Sequence, residues 1–147
     1  MEQFLSTFTN KIDRKGRVSV PAEFRAVLSA RKSTRILLFP AVHYAAVEGA
    51  GDDYLAELDR QIASLPPLSQ ERDDLMFSIK PSIRSFQCDP EGRVVLAEDL
   101  IDHAGLSELV CFVGIGDSFQ LWNPEAWRVH RQAALARSRS LRGAVRT

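Results

Sequence analysis

The chain has 147 residues, of which 45% are hydrophobic, and its formal net charge at pH 7 is zero. This length fits one domain or two very small ones, and the hydrophobic content is ordinary for a globular protein. No apolar run approaches the roughly 18 residues that span a bilayer, and the first residues lack the basic and apolar regions of a signal peptide. We therefore expect a cytoplasmic protein with reduced thiols and no contact with a membrane.

The neutral total hides separated charges. Residues 11–35 carry eight Lys and Arg against two acids, which gives 8 − 2 = +6, and residues 48–75 carry two Arg against eight acids, which gives 2 − 8 = −6. From Arg128 onward there are six arginines and no acid. The local field decides binding to a polyanion, so the basic N-terminal segment is a candidate footprint for nucleic acid. Solvated faces are an equally good interpretation of these runs, and we favour it for the acidic one.

The first half of the chain is predicted to alternate strands and helices. Polar and β-branched residues alternate over 17–20, as in a half-buried strand, and Pro21 suits the first turn of a helix. The predicted elements are strands over 4–12 and 17–20, a helix over 22–28, strands over 35–40 and 43–47, and a helix over 52–65. The first two strands are predicted to form a β-hairpin, residues 49–51 to break the chain, and Ser69 to cap a further helix.

The second half is predicted to repeat the same order. The predicted elements are strands over 83–88 and 93–96, a helix over 97–104, strands over 109–113 and 119–122, and a helix from 124 to about 140. Gly105 marks the end of the shorter helix, and Asn123 is the N-cap of the longer one. Residues 141–147 are rich in Arg, have little to bury, and are predicted to fray.

One motif occurs twice. Asp13 to Arg17 and Asp89 to Arg93 both read Asp-x-x-x-Arg with Gly before the Arg, at an offset of 93 − 17 = 76 residues, and an apolar run follows each copy. A fixed offset of half the chain indicates two similar structural units. We predict an α+β fold of duplicated ββαββα units, with a first unit over 1–80 that includes the acidic helix and a second over 81–147. Units this small tend to share a core, swap strands or oligomerise.

The motif combines three physical roles. Asp tightens a turn by accepting backbone N–H groups two residues on, and Gly permits positive φ. The Arg then presents a planar fork of donors that suits a phosphate or a guanine edge. In the first copy Lys11, Arg14 and Lys15 surround Arg17, which favours binding of DNA phosphates. The other interpretation is a common hairpin turn in which Arg17 pairs only with Asp13, and for a single copy that interpretation is the stronger.

The sequence gives no indication of an enzyme. His43, His103 and His130 share no ligand spacing, and Cys88 and Cys111 form no metal-binding cluster. The glycines at 114 and 116 lack the context of a phosphate-binding loop. We therefore predict no catalytic residue, no metal and no cofactor.

Three stretches of the sequence resemble the MraZ family of bacterial transcriptional regulators. The run Lys11–Arg25 resembles the first motif of that family, and the copy over 87–97 resembles its second. The run Phe119–Trp127 resembles its closing strand and helix start, and residues 103–106 match another familiar stretch. The resemblance covers roughly residues 4–131.

The resemblance implies two SpoVT/AbrB-like units in a swapped-hairpin β-barrel with pseudo-twofold symmetry. It implies a homo-oligomeric ring that binds double-stranded DNA at direct repeats in the promoter of the division and cell-wall gene cluster, which includes the regulator's own gene. It also implies a repressor that associates with the nucleoid and has no small-molecule substrate. An antitoxin-like module of the same fold is the alternative, although such modules usually carry one copy of the motif.

The predicted site has two groups of residues. The DNA-binding residues are Lys11, Arg14, Lys15, Gly16, Arg17 and, as the counterpart in the second copy, Arg93. The loop-shaping residues are Asp13, Asp89 and Gly92. This chain departs from the family pattern because Pro90 and Glu91 replace the cations of the first loop and Ala97 stands where a proline is usual. We therefore expect the first loop to dominate contact with DNA.

Overall fold

The computed structural model describes residues 2–145 and has an α+β fold. Its strands are β1 (Thr7–Lys11), β2 (Arg17–Ser19), β3 (Ile36–Pro40), β4 (Val47–Ala50), β5 (Arg84–Phe86), β6 (Arg93–Val95), β7 (Leu109–Gly114) and β8 (Phe119–Trp122). Its α-helices are α1 (Ala22–Ala30), α2 (Asp52–Ala63), α3 (Gln70–Ile79), α4 (Glu98–Ala104), α5 (Pro124–Arg137) and α6 (Arg139–Val145), and a short 3₁₀ helix spans Lys80–Ser82. No helix in this part of the chain is long and apolar enough to cross a membrane.

The strands form two separate antiparallel sheets. Six strands lie in the order β1-β7-β8-β4-β3-β5, and β2 and β6 form a two-stranded ribbon. Within residues 2–145, β1 and β5 are the edges of the larger sheet, so the predicted closed barrel is wrong. The reason lies in the pairing of the ribbon strands. In the described part of the chain, β2 and β6 pair with each other and not with β1 or β5, and the link of β2 to the first strand is a single bridge between Ile12 and Val18.

Strands from the two halves of the chain pair with each other. β1 pairs with β7, β3 pairs with β5, and β2 pairs with β6. The predicted hairpin between the first two strands is therefore right at its turn but wrong along its length, because its ladder is a single bridge between Ile12 and Val18. The hydrogen bonds of β1 and β2 are made with the second half of the chain, which no local pattern specifies.

The larger sheet has a core on each face. Along β7, Val110 and Phe112 point into the larger core, and Cys111 and Val113 point into a smaller cluster on the other face. The ribbon, α1 and α4 cover the larger core. They contribute Val18, Phe24 and Leu100 to it, respectively. The smaller cluster contains Trp122 and is covered by Trp127 of α5. The ribbon and α5 therefore lie on opposite faces of the sheet.

Several helix boundaries follow the predicted signals. The Ser69 side chain accepts a hydrogen bond from the Arg72 backbone N–H and caps α3. The Asn123 side chain caps α5 in the same way, with Pro124 as its first residue. Gly105 ends α4 in the left-handed region, with φ at 61°. These predictions are confirmed because capping depends on local sequence.

Two predicted elements of the chain differ from the structure. The strand predicted over 43–47 lies instead at Val47–Ala50, so Gly49 is inside a strand rather than in a chain break. The Phe119 ring crosses Gly49 so closely that a Cβ there would lie 2.4 Å from a ring carbon, and only glycine fits. The segment predicted to fray is helical as far as Val145, with no side chain buried, and residues 146–147 lie outside the described part.

Candidate nucleic-acid interface

The β2–β6 ribbon places both motif arginines on one face. Arg17 pairs with Val95 and Ser19 pairs with Arg93, so these four side chains project from the same side. Val18 and Val94 lie between them in sequence, and both are buried in the larger core. The two arginines are thus diagonal neighbours across the strands, with Cβ atoms roughly 7–8 Å apart by ordinary sheet geometry.

The first turn is built around the Asp13 carboxylate. Its Oδ1 accepts hydrogen bonds from the backbone N–H groups of Lys15 and Arg17, both at 2.9 Å. Its Oδ2 accepts a hydrogen bond from Arg17 Nε at 2.7 Å. These bonds, led by the one from the Arg17 backbone, hold the pKa of Asp13 below its ordinary value. The ion pair expected of a simple hairpin turn is therefore present, and the Arg17 side chain remains 38% exposed.

The second turn repeats this geometry. Asp89 accepts hydrogen bonds from the backbone N–H groups of Glu91 and Arg93, and from Arg93 Nε, all at 2.9 Å. The hydrogen bond from the Arg93 backbone is the largest cause of the lowered pKa of Asp89. Arg93 makes a second ion pair with Glu91 at 2.9 Å, and its hydrogen bond to Asp89 is the largest cause of its raised pKa. Arg93 is consequently held between two acids, whereas Arg17 is held by one.

The glycine of each turn accepts a backbone hydrogen bond from the other half of the ribbon. Gly16 and Gly92 have φ values of 80° and 79°, in the region that favours glycine. The Leu96 N–H donates to the Gly16 carbonyl at 2.8 Å, and the Val20 N–H donates to the Gly92 carbonyl at 2.9 Å. Each turn is thus hydrogen-bonded to the strand that follows the other. Gly16 is buried by this contact, so its role lies in the backbone.

Ion pairs neutralise two of the four cations of the basic N-terminal segment that lie outside the first turn. Arg31 pairs with Asp53 at 3.0 Å, and Arg35 pairs with Asp52 at 2.6 Å, so the start of α2 takes up two of the cations. Lys11, Arg14 and Lys15 are exposed and have no acidic partner within residues 2–145. The free positive charge of the segment is therefore concentrated at the first turn.

The charges of the two turns differ in sign. Residues 11–17 carry Lys11, Arg14, Lys15 and Arg17 against Asp13, which gives 4 − 1 = +3. Residues 87–93 carry one Arg against two acids, which gives 1 − 2 = −1. The positive potential at the end of the ribbon with the first turn attracts a polyanion. The net negative charge of the second turn gives no such attraction at the other end.

One residue beside the second turn carried no sequence signal. Arg25 of α1 donates from Nε to the Val20 carbonyl at 3.1 Å. Its guanidinium covers Gly92, where a Cβ would lie 2.7 Å from Arg25 Cζ. The corresponding residue in the second half, at 25 + 76 = 101, is Ile101, which lies beneath Gly16 in the same way. A cation and an apolar residue thus occupy equivalent positions, which only the tertiary structure makes visible.

The histidines come together but form no metal site. His103 Nε2 lies 3.1 Å from the Tyr44 carbonyl, and the Tyr44 ring lies 4.9 Å from His130. His130 stacks on Trp122 at 4.7 Å. Residues 2–145 contain no group of three or more His, Cys, Asp or Glu side chains that could hold a metal ion. His130 is part of the packing between α5 and the sheet, whereas His103 is an exposed residue of α4.

The fold and site define a class of α+β protein with a duplicated turn motif, whose β-ribbon presents cations at one end. The family model described as "MraZ protein, putative antitoxin-like" matches residues 84–142. A relative named "Transcriptional regulator MraZ" from Xanthobacter autotrophicus is 39% identical over 145 residues, which is 99% of this chain and 92% of that protein. Proteins of the same name from Azorhizobium caulinodans and Rickettsia akari are 39% and 37% identical, over 97% and 91% of this chain and 90% of each relative. The chain belongs to the MraZ family.

Proposed function

We propose that this chain is a sequence-specific DNA-binding transcriptional regulator. In this proposal it acts as a repressor of the division and cell-wall gene cluster, including its own promoter, and associates with the nucleoid. It binds direct repeats as a homo-oligomeric ring. The names of its relatives support a role in transcription, and the finer statements rest on the resemblance of the motifs.

The observation that carries the proposal is the first turn. Lys11, Arg14 and Lys15 are exposed beside Arg17, whose Nε is fixed by Asp13. A fixed Nε leaves the two terminal guanidinium nitrogens as donors, which suits a phosphate or the O6 and N7 acceptors of guanine. The major groove is about 12 Å wide and admits a two-stranded ribbon. We propose that the ribbon face bearing Arg17 faces DNA, with Gly16 shaping the turn and Arg93 in a secondary role.

The same proposal interprets the fold as two repeated units, over 1–80 and 81–147. The pairing of β2 with β6 and the reciprocal hydrogen bonds of Gly16 and Gly92 support a swapped-hairpin arrangement with pseudo-twofold symmetry. Asp13, Asp89 and Gly92 then shape equivalent turns. The duplication supplies the ribbon, and the difference in charge selects the turn that contacts DNA.

The deciding experiment is footprinting of the purified protein on the DNA upstream of its own gene. We expect protection of evenly spaced repeats at nanomolar to micromolar protein. Protection that is uniform along the fragment, or that appears equally on an unrelated fragment of the same length, would leave only non-specific binding. A transcription assay from the same fragment, with and without protein, then tests repression.

The family description also favours a second function, that of an antitoxin-like module. Such a module binds a protein of a different kind as well as DNA. Affinity purification from its own cells should then yield a partner of different sequence in fixed stoichiometry, and that partner should change the affinity for DNA. The regulator proposal instead predicts that the chain purifies with copies of itself.

A further inference from the structure

Two surfaces of opposite charge lie outside the ribbon. The acidic surface consists of α3 and the residue before its cap: Leu68, Glu71, Asp73, Asp74 and Phe77. The basic surface consists of α6 and the outer side of α5: Arg131, Arg137, Arg139, Leu141, Arg142 and Val145. Neither surface is needed for the proposed contact with DNA.

The acidic surface is poorly covered by its own chain. α3 contacts α2 and the 3₁₀ helix that follows it, and it buries none of its residues. Leu68 is 99% exposed and Phe77 is 71% exposed, so both offer apolar area for a contact with another molecule. The acids of α2 are paired within the chain, but Glu71 and Asp73 have no ion-pair partner in the described part.

The basic surface has the complementary character. No acid follows Glu125 in the sequence, and Glu125 is already paired with Arg128. Within residues 2–145, Arg137, Arg139 and Arg142 take part in no ion pair. α6 buries no side chain, and its apolar residues are also open, with Leu141 66% exposed and Val145 85% exposed.

Both surfaces are carried by helices that lie away from the ribbon. α5 packs through Trp127 on the smaller cluster, on the face of the sheet opposite to the ribbon. α2, which supports α3, packs through Tyr54 on Phe39, the neighbour of the core residue Leu38 along β3. Successive strand residues point to opposite faces, so α2 also lies on the side away from the ribbon. DNA bound at the ribbon would leave both surfaces free.

We propose that the acidic surface of one copy binds the basic surface of a second copy. The two surfaces match in chemistry, since each combines unpaired charges of one sign with exposed apolar side chains. They are different patches of the same chain, so the contact is head-to-tail, and such contacts build rings when the rotation closes. This inference deepens the proposed function, because it names the surfaces through which the copies assemble.

The test is a charge swap followed by light scattering after size exclusion. Glu71→Arg with Asp74→Arg makes both surfaces positive, and Arg137→Glu with Arg139→Glu and Arg142→Glu makes both negative. Either set should weaken assembly about ten-fold or more and shift the mass toward the 16.4 kDa of one chain. All five substitutions on one chain reverse the sign of both surfaces, so assembly should return. A chain that had merely misfolded would not be rescued in this way.

The matched control for the acidic surface is Asp102→Arg with Glu108→Arg, which raises the net charge by the same amount as Glu71→Arg with Asp74→Arg, at exposed sites elsewhere. It should leave the mass unchanged. The inference is overturned if either reversed set keeps the mass of the parent protein, or if the variant that combines both sets stays dissociated. It is also overturned if the Arg reversals lower DNA affinity at unchanged mass, because the arginines would then contact DNA. If the parent protein is a monomer, the proposed ring itself is refuted. If the parent protein assembles but gives no footprint on the DNA upstream of its gene, only the DNA-binding proposal is refuted.

Discussion

Replacing Arg17 with Ala should weaken DNA binding far more than replacing Arg93 with Ala. Both arginines are tied to an aspartate of their turn, but Arg93 is also paired with Glu91 at 2.9 Å. Arg17 lies instead among the exposed cations of the first turn, Lys11, Arg14 and Lys15. The Asp13 carboxylate stays bonded to two backbone N–H groups in the Ala variant, so the turn itself should persist.

The salt dependence of binding gives the magnitude. Each neutralised phosphate contributes about −0.9 to the slope of log K against log salt. If the four cations of residues 11–17 each neutralise one phosphate, the slope is about −3.6 per bound chain, and affinity falls about 150-fold between about 50 and 200 mM salt. For the Arg17 variant, which has one phosphate contact fewer, the affinity for DNA should fall only about 40-fold over the same range of salt. The Arg93 variant should keep nearly the parent slope.

Fluorescence anisotropy on one promoter fragment at four salt concentrations measures these slopes. Thermal melting of each variant serves as the control for folding, and light scattering checks that assembly is unchanged. The reasoning would be refuted if the two variants lost affinity equally, or if the Arg93 variant alone showed the shallower slope. The second result would move the DNA contact to the other end of the ribbon.

Three further predictions concern the turns and one helix cap. Gly16→Ala should lower the free energy of unfolding by about 2 kcal/mol or more in urea titrations, because φ is 80° and a Cβ would lie 2.8 Å from the Leu96 carbonyl oxygen. Asn123→Ala removes the cap of α5 and should cost about 1 kcal/mol in the same assay, whereas Asn123→Asp should cost less. The hydrogen bonds of the turns hold the pKa values of Asp13 and Asp89 below their ordinary value, so their stabilising effect is present above the unfolded-state pKa and is lost as the pH falls through the folded-state pKa. The melting temperature should therefore fall as the pH drops below about 4. If the protein with Asp13→Asn and Asp89→Asn shows an equally steep fall, these two carboxylates are not its cause.

Local signals predicted the turns and helix ends well. Asp13 and Asp89 bond the N–H groups two residues on, as a turn with this residue order requires. Ser69 and Asn123 cap the helices predicted to start after them. Each of these contacts joins residues fewer than five apart, so the sequence around the residue is enough to specify it.

Strand pairing and the position of β4 could not be predicted in this way. The hairpin pattern around Asp13 is compatible with a local ladder, yet β1 pairs with β7, and Lys11 lies opposite Leu109, which is 109 − 11 = 98 residues away. Gly49 looked like a chain break because its reason for being glycine is the Phe119 ring, 70 residues away in sequence. Arg25 carried no signal because its contact with Gly92 likewise depends on the other half of the chain.

The sequence by itself determined the repeat of the turn motif, the two turns and the excess of cations at the first of them, because each depends on residue order and on short-range hydrogen bonds. The tertiary structure decided that the two motif arginines share one face of a ribbon, since that face exists only when β2 pairs with β6. It also decided which cations remain free, because the start of α2 pairs with Arg31 and Arg35 and leaves the first turn exposed. The pairing of distant strands and the ion pairs between elements leave no pattern in the local sequence. They nevertheless determine which cations of the basic segment are exposed together on one surface.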